Sequence, residues 1–175
     1  MASGNSANVR GNCLTMHGDC HYEYDAFGRR IAKTNGLTRT EFLWQGDRLI
    51  AEETGVQYRT YLYEPDGFKP LALVDGHGPE KAEVYYYHLD HLGTPQELTN
   101  QQGQLVWSVT YRAYGNVVQR QVAEIDNPLR FQGQYYDLET GKMHRRKRRG
   151  LNTETVSTIL KNTAGRHTGR RLQRV

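Results

Sequence analysis

The stretch Tyr85–Gly115, YYYHLDHLGTPQELTNQQGQLVWSVTYRAYG, reads as strand, tight turn, strand, turn, strand. Leu105, Trp107, Val109 and Tyr111 alternate with Gln104, Ser108 and Thr110, the period of a strand with one face buried. Gly93-Thr94-Pro95 and Asn100-Gln101-Gln102-Gly103 carry turn chemistry, because glycine tolerates positive φ and proline presets φ.

Outward from this stretch the same grammar recurs. His21–Ile31 (HYEYDAFGRRI) gives a strand, a turn at Asp25-Ala26-Phe27-Gly28 and a second strand entry. Phe42–Ala51 repeats the layout around Gln45-Gly46-Asp47, and Tyr61–Val74 repeats it around Pro65-Asp66-Gly67. Tyr87–Thr99 is a fourth copy and Tyr111–Val118 a shorter fifth. The leading aromatics Tyr24, Trp44, Tyr63 and Tyr87 are 20, 19 and 24 residues apart. A recurring order of aromatic, turn and aliphatic predicts a β repeat array, in which hairpins bury jointly the apolar faces they cannot bury alone. Pro65, Pro70, Pro95 and Pro128 argue against long helices here. Residues 1–20, rich in Gly, Ser and Asn, are expected to be irregular.

Charge divides the chain. Residues 1–141 hold 12 Lys/Arg against 18 Asp/Glu, a net of −6, whereas residues 142–175 hold 11 Lys/Arg against Glu154 alone, a net of +10. All 12 tyrosines lie between Tyr22 and Tyr136. Cys13 and Cys20 are the only cysteines, which is no disulfide framework. No apolar run approaches the roughly 18 residues of a membrane span. The opening MASGNSANVRGNC lacks the apolar core of a signal peptide.

Tyr24-Asp25-Ala26-Phe27-Gly28-Arg29-Arg30-Ile31 resembles the tyrosine–aspartate (YD) repeat. Tyr87–Pro95 (YHLDHLGTP), Trp107–Gly115 and Asn127–Asp137 (NPLRFQGQYYD), in this order, resemble the last part of the core of bacterial Rhs proteins. The resemblance covers about residues 10–141. It implies an all-β fold, a YD-repeat hairpin array forming a fragment of a β-cocoon that encloses a C-terminal toxin. It also implies delivery by type VI secretion in competition between bacteria. The implied partners are other Rhs core repeats, a C-terminal toxin domain and secretion spike components. Location in the cytoplasm of the producing bacterium is expected, with export needing no cleavable signal. The family continues past Glu139-Thr140-Gly141 with aromatic text and an Asp-Pro block linked to self-cleavage. This chain reads Lys142-Met143-His144-Arg145-Arg146-Lys147-Arg148-Arg149 instead. The chain is thus expected to be a non-catalytic, truncated or frameshifted piece of such a shell: an irregular 1–20, a core fragment 21–141 and a basic tail 142–175.

The tail is expected to be disordered or marginally helical. Asn152–Asn162 has a cap at Thr153 and Val156, Ile159 and Leu160 on one face, but a helix this short is marginal alone. Arg145, Arg146, Lys147, Arg148 and Arg149 are the candidate nucleic-acid contacts, through phosphate neutralisation, against a plain solvated charge run. A tyrosine-rich surface that stacks on sugars is a further alternative. Cys13, His17, Cys20 and His21 lack zinc-site spacing and read as incidental. His88, Asp90 and His91 read as polar positions of a repeat motif. Asp25, Asp66, Asp90 and Asp137 read as turn-fixing carboxylates. No catalytic residue, cofactor or metal is expected.

Overall fold

The computed structural model describes residues 7–10, 13–111, 117–137 and 141–144. Among these, twelve strands form one antiparallel sheet in simple chain order. They are β1 (Ala7–Arg10), β2 (Cys13–His17), β3 (Cys20–Tyr24), β4 (Arg30–Asn35), β5 (Thr38–Gln45) and β6 (Arg48–Thr54), followed by β7 (Gln57–Tyr63), β8 (Pro70–His77), β9 (Lys81–Leu89), β10 (Pro95–Thr99), β11 (Leu105–Tyr111) and β12 (Val117–Ala123). A 3₁₀ turn at Phe131–Gly133 leads into β13 (Tyr135–Asp137), which pairs with β14 (Lys142–His144). The described residues are therefore all-β apart from that turn, in keeping with the alternating pattern.

Two expectations change. The first 20 residues are not simply irregular, since β1 and β2 pair with each other and β2 pairs with β3. Lys142–His144, which composition assigns to the tail, continues the body as β14. Backbone pairing is indifferent to the charge of the side chains it carries, so a break in composition need not be a break in structure.

The hairpins share a construction. Tyr24 pairs with Arg30, Trp44 with Leu49 and Tyr63 with Pro70, and in each case the next register step skips a residue: Ile31, Ile50 and Leu71. These bulges carry the aliphatic of the aromatic–turn–aliphatic pattern. The lead aromatics then join one hairpin to the preceding one. Tyr24 Oη donates to the Leu14 carbonyl at 2.8 Å, Trp44 Nε1 to Arg30 at 2.7 Å and Tyr63 Oη to Leu49 at 2.8 Å. Each acceptor immediately precedes a skipped residue. Tyr111 Oη makes the same contact with Pro95, at 2.7 Å, before the skipped Gln96. The fourth lead residue is not Tyr87 but Leu89, which stands opposite Pro95. Counting aromatics misplaces it because Leu89 has no donor and is not aromatic.

The turns also stack. Arg29 Nη1 donates to the Gly46 carbonyl at 2.7 Å, and Arg48 Nη1 reaches the Gly67 carbonyl at 3.3 Å. Lys69 lies against Gly93 so closely that a Cβ there would sit 2.8 Å from Lys69 Cγ.

One face of the sheet holds the core: Phe42, Leu49, Tyr61, Leu73, Tyr85, Tyr87, Leu98, Trp107 and Val109. Leu129 joins this cluster, with Ile125 and Tyr135 packed against it, so residues 125–137 cover the face. The opposite face leaves Leu43, Leu62, Leu71 and Tyr86 exposed. In β11 the expected alternation fails at Leu105, which is exposed, while Val106 and Ser108 are buried. Val106 is skipped between the pairs Leu98–Trp107 and Thr99–Leu105, and that bulge takes Leu105 out of phase.

Candidate functional site

The ionisable groups of the covered face gather beneath residues 125–137. Strand phase places them there. Glu52 on β6 stands opposite Phe42 and Arg59, and Arg59 stands opposite Asp75, so all four share the inner face. Glu52 is buried and accepts from Tyr61 Oη at 2.7 Å and from Tyr135 Oη at 2.8 Å. Arg59 is held between Glu52 at 3.6 Å and Asp75 at 3.1 Å. Burial first, and then the Glu52 charge, pushes the Tyr61 and Tyr135 phenols well above their ordinary pKa. Both therefore remain donors across the physiological range. Phe42 meets the Tyr135 ring edge-on with centroids 5.5 Å apart.

A second group lies towards β3 and β4. Arg30 Nη1 donates to Asp137 Oδ2 at 2.6 Å, with the two side chains 4% and 1% exposed. Lys33 Nζ lies 4.0 Å from Asp137 Oδ1. The Arg30 guanidinium sits 4.2 Å from the centroid of the Tyr22 ring. Near the other end of the cover, Tyr87 Oη donates to Asn127 Oδ1 at 3.0 Å. The Arg130 guanidinium packs over Trp107 and Tyr136, at 5.5 and 5.0 Å.

A cleft of about 140 Å³ remains between sheet and cover, lined in part by Lys33, Thr40, Glu52, Arg59, Asp126 and Tyr135. Within it Arg59 faces Glu52, and the Thr40 and Thr54 hydroxyls bond each other at 2.8 Å. Chemically the face is a network of donors and carboxylates, in which Asn127 Nδ2 and Gln134 Oε1 are buried without a hydrogen-bond partner. Among the described residues no group of three or more His, Cys, Asp or Glu could hold a metal ion.

A family model described as RHS protein matches residues 84–121. The double-stranded DNA deaminase toxin A of Burkholderia cenocepacia is 38% identical over 70% of this chain, and the toxin protein Tse5 of Pseudomonas aeruginosa is 34% identical over 74%. The chain belongs to the Rhs family. It spans only 10% and 12% of the length of those two relatives. Among solved structures, a crystal structure of TcdB2-TccC3-TEV aligns with a TM-score of 0.46 at 16% identity, covering 79% of this chain and 9% of that one.

Within this Rhs chain the residues singled out from sequence scatter. Arg145, Arg146, Lys147, Arg148 and Arg149 lie outside the described residues. Cys20 is buried and its neighbour His21 exposed on the opposite face. His88 is exposed and shares a hydrogen bond of 2.9 Å with Thr99 Oγ1. Asp90 heads its turn, accepting from the Leu92 and Thr94 amides at 2.9 and 2.8 Å. Asp25 does the same with Phe27 and Arg29, both at 2.9 Å. Asp66 lies in its turn at φ 57°. Asp137 departs from the turn reading: it is buried at the end of β13 and pairs with Arg30. The residues missed are Arg30, Glu52, Arg59 and Asn127. Arg59 carries a sequence signal, because it is a charge in phase with Tyr61 and Tyr63 on β7, whereas β6 has no aromatic and the skipped Ile50 breaks its phase before Glu52.

Proposed function

We propose that the chain is a non-catalytic structural part of an Rhs shell that encloses a toxin used in competition between bacteria. The observation that carries this reading is the inner face. Its carboxylates Glu52, Asp75 and Asp137 are each bound by a cation of the same face, and Glu52 also by tyrosine donors. Groups so committed hold a wall together. The partners are further Rhs repeats and a C-terminal toxin domain, with secretion spike components engaged by the whole assembly. Among the described residues no helix is long and apolar enough to cross a membrane. Synthesis in the cytoplasm and export without a cleaved leader fit this role. Expression of the chain alone in bacteria tests it. Normal growth, with no cleavage or deamination of DNA by the purified chain, is expected. Growth arrest abolished by a single substitution in the chain would overturn the assignment.

A second reading rests on Lys142–Arg149, where six of eight residues are Lys or Arg. On this reading Arg145–Arg149 bind nucleic acid by neutralising phosphates. Retention on double-stranded DNA should then fall steeply with salt and be lost when those five residues become Gln. Retention that survives the change would exclude it.

A further inference from the structure

We infer that Arg30, stacked on Tyr22 with Lys33 beside it, forms a carboxylate socket, and that Asp137 in this socket latches residues 125–137 over the inner face as an intramolecular clasp. The socket is built before its occupant is considered. Arg30 opens β4 and packs its guanidinium on the Tyr22 ring at 4.2 Å, while Lys33 sits three residues further along the same strand. The occupant arrives from 107 residues away. With Asp137 in place Arg30 is 3% exposed. A buried guanidinium without its carboxylate is an uncompensated charge, which is costly, so the closed state is favoured by more than the contact itself.

Between its two ends the segment touches distant hairpins in turn. Asn127 meets Tyr87 on β9, Arg130 covers Trp107 on β11, Tyr135 meets Glu52 on β6 and Phe42 on β5, and Asp137 meets Arg30 on β4. A plain hairpin array has contacts only between neighbours and opens from its ends. The clasp adds a long-range link from the late strands to the early ones. Its release uncovers Tyr61, Tyr87 and Trp107, which are 2%, 9% and 1% exposed when it is shut.

Hydrogen exchange on the full chain, read by mass spectrometry, tests the clasp with Asp137→Ala. The amides of β3–β6 should exchange at least tenfold faster than in the parent. Sodium formate, whose carboxylate fits the vacated socket, should restore protection, and sodium chloride at equal ionic strength should not. Unchanged exchange in β3–β6 overturns the inference, as does a uniform acceleration that formate fails to reverse. Should Asp137→Ala not fold, recovery on adding formate supports the socket and failure to recover overturns it.

Discussion

Asp25, Asp90 and Asn100 show how one side chain sets a turn. Each places its Oδ1 on the amides two and four residues ahead, as with Asn100 on Gln102 and Gln104 at 3.0 and 2.9 Å. A glycine at the fourth position then takes positive φ, at 82° for Gly93. Charge-assisted bonds of this kind contribute more than neutral ones, so Asp90→Ala should cost about 1–2 kcal/mol in denaturant unfolding. Partial burial raises the Asp90 pKa, but the Thr94 and Leu92 amides outweigh it and hold the carboxyl below its ordinary value. The sign of the pH effect follows. The contribution is present above the unfolded value of about 3.9 and is lost as pH falls through the lower folded value. Melting curves between neutral pH and strong acid should show Asp90→Ala losing its penalty in that acid range. At Gly76 the limit is space: a Cβ there would collide with Cζ and the hydroxyl oxygen of Tyr58. Gly76→Ala should therefore destabilise by about 1–3 kcal/mol, and Tyr58→Ala in the same chain should relieve most of it, as a double-mutant cycle will read.

At the scale of the element, the unit is a bulged hairpin fastened to its predecessor. The bulge frees a carbonyl from the strand ladder, and the next hairpin's aromatic supplies the donor. Tyr63→Phe removes the donor to Leu49 while keeping the ring, so its effect isolates the hydrogen bond. A loss of about 0.5–1.5 kcal/mol is expected, larger if the Leu49 carbonyl is left dry. Equal stability of Tyr63→Phe and the parent would show that the ring, not the hydroxyl, joins the hairpins. The hairpin led by Leu89 is fastened otherwise, since a leucine donates nothing.

For the whole molecule, β1 and β12 are the outer strands of the described sheet. Each offers one row of backbone groups for pairing with another strand. The chain in isolation should therefore associate as its concentration rises, through those edges. Size-exclusion chromatography across a range of concentrations checks this, and a compact monomer throughout would contradict it. The far-UV circular dichroism of the same samples should be that of strands, whatever the state of association.

The sequence alone was enough to determine the class of fold and the family. Alternation at Trp107, Val109 and Tyr111, the turns at Asp25 and Asp90, and the recurring aromatic–turn–aliphatic order are local patterns, and local rules read them. It also placed Asp25 and Asp90 in their turns, because an Asx turn is closed within five residues. Tertiary structure alone decided that Leu89 rather than Tyr87 leads the fourth hairpin, since register belongs to pairs of strands. It alone decided that Asp137 is a buried ion-pair partner rather than a turn residue. Arg30 and Asp137 are 107 residues apart, and no periodicity links them. Only the return of residues 125–137 across the sheet brings the two charges out of water together, and the cost of burying either one alone is what makes them meet.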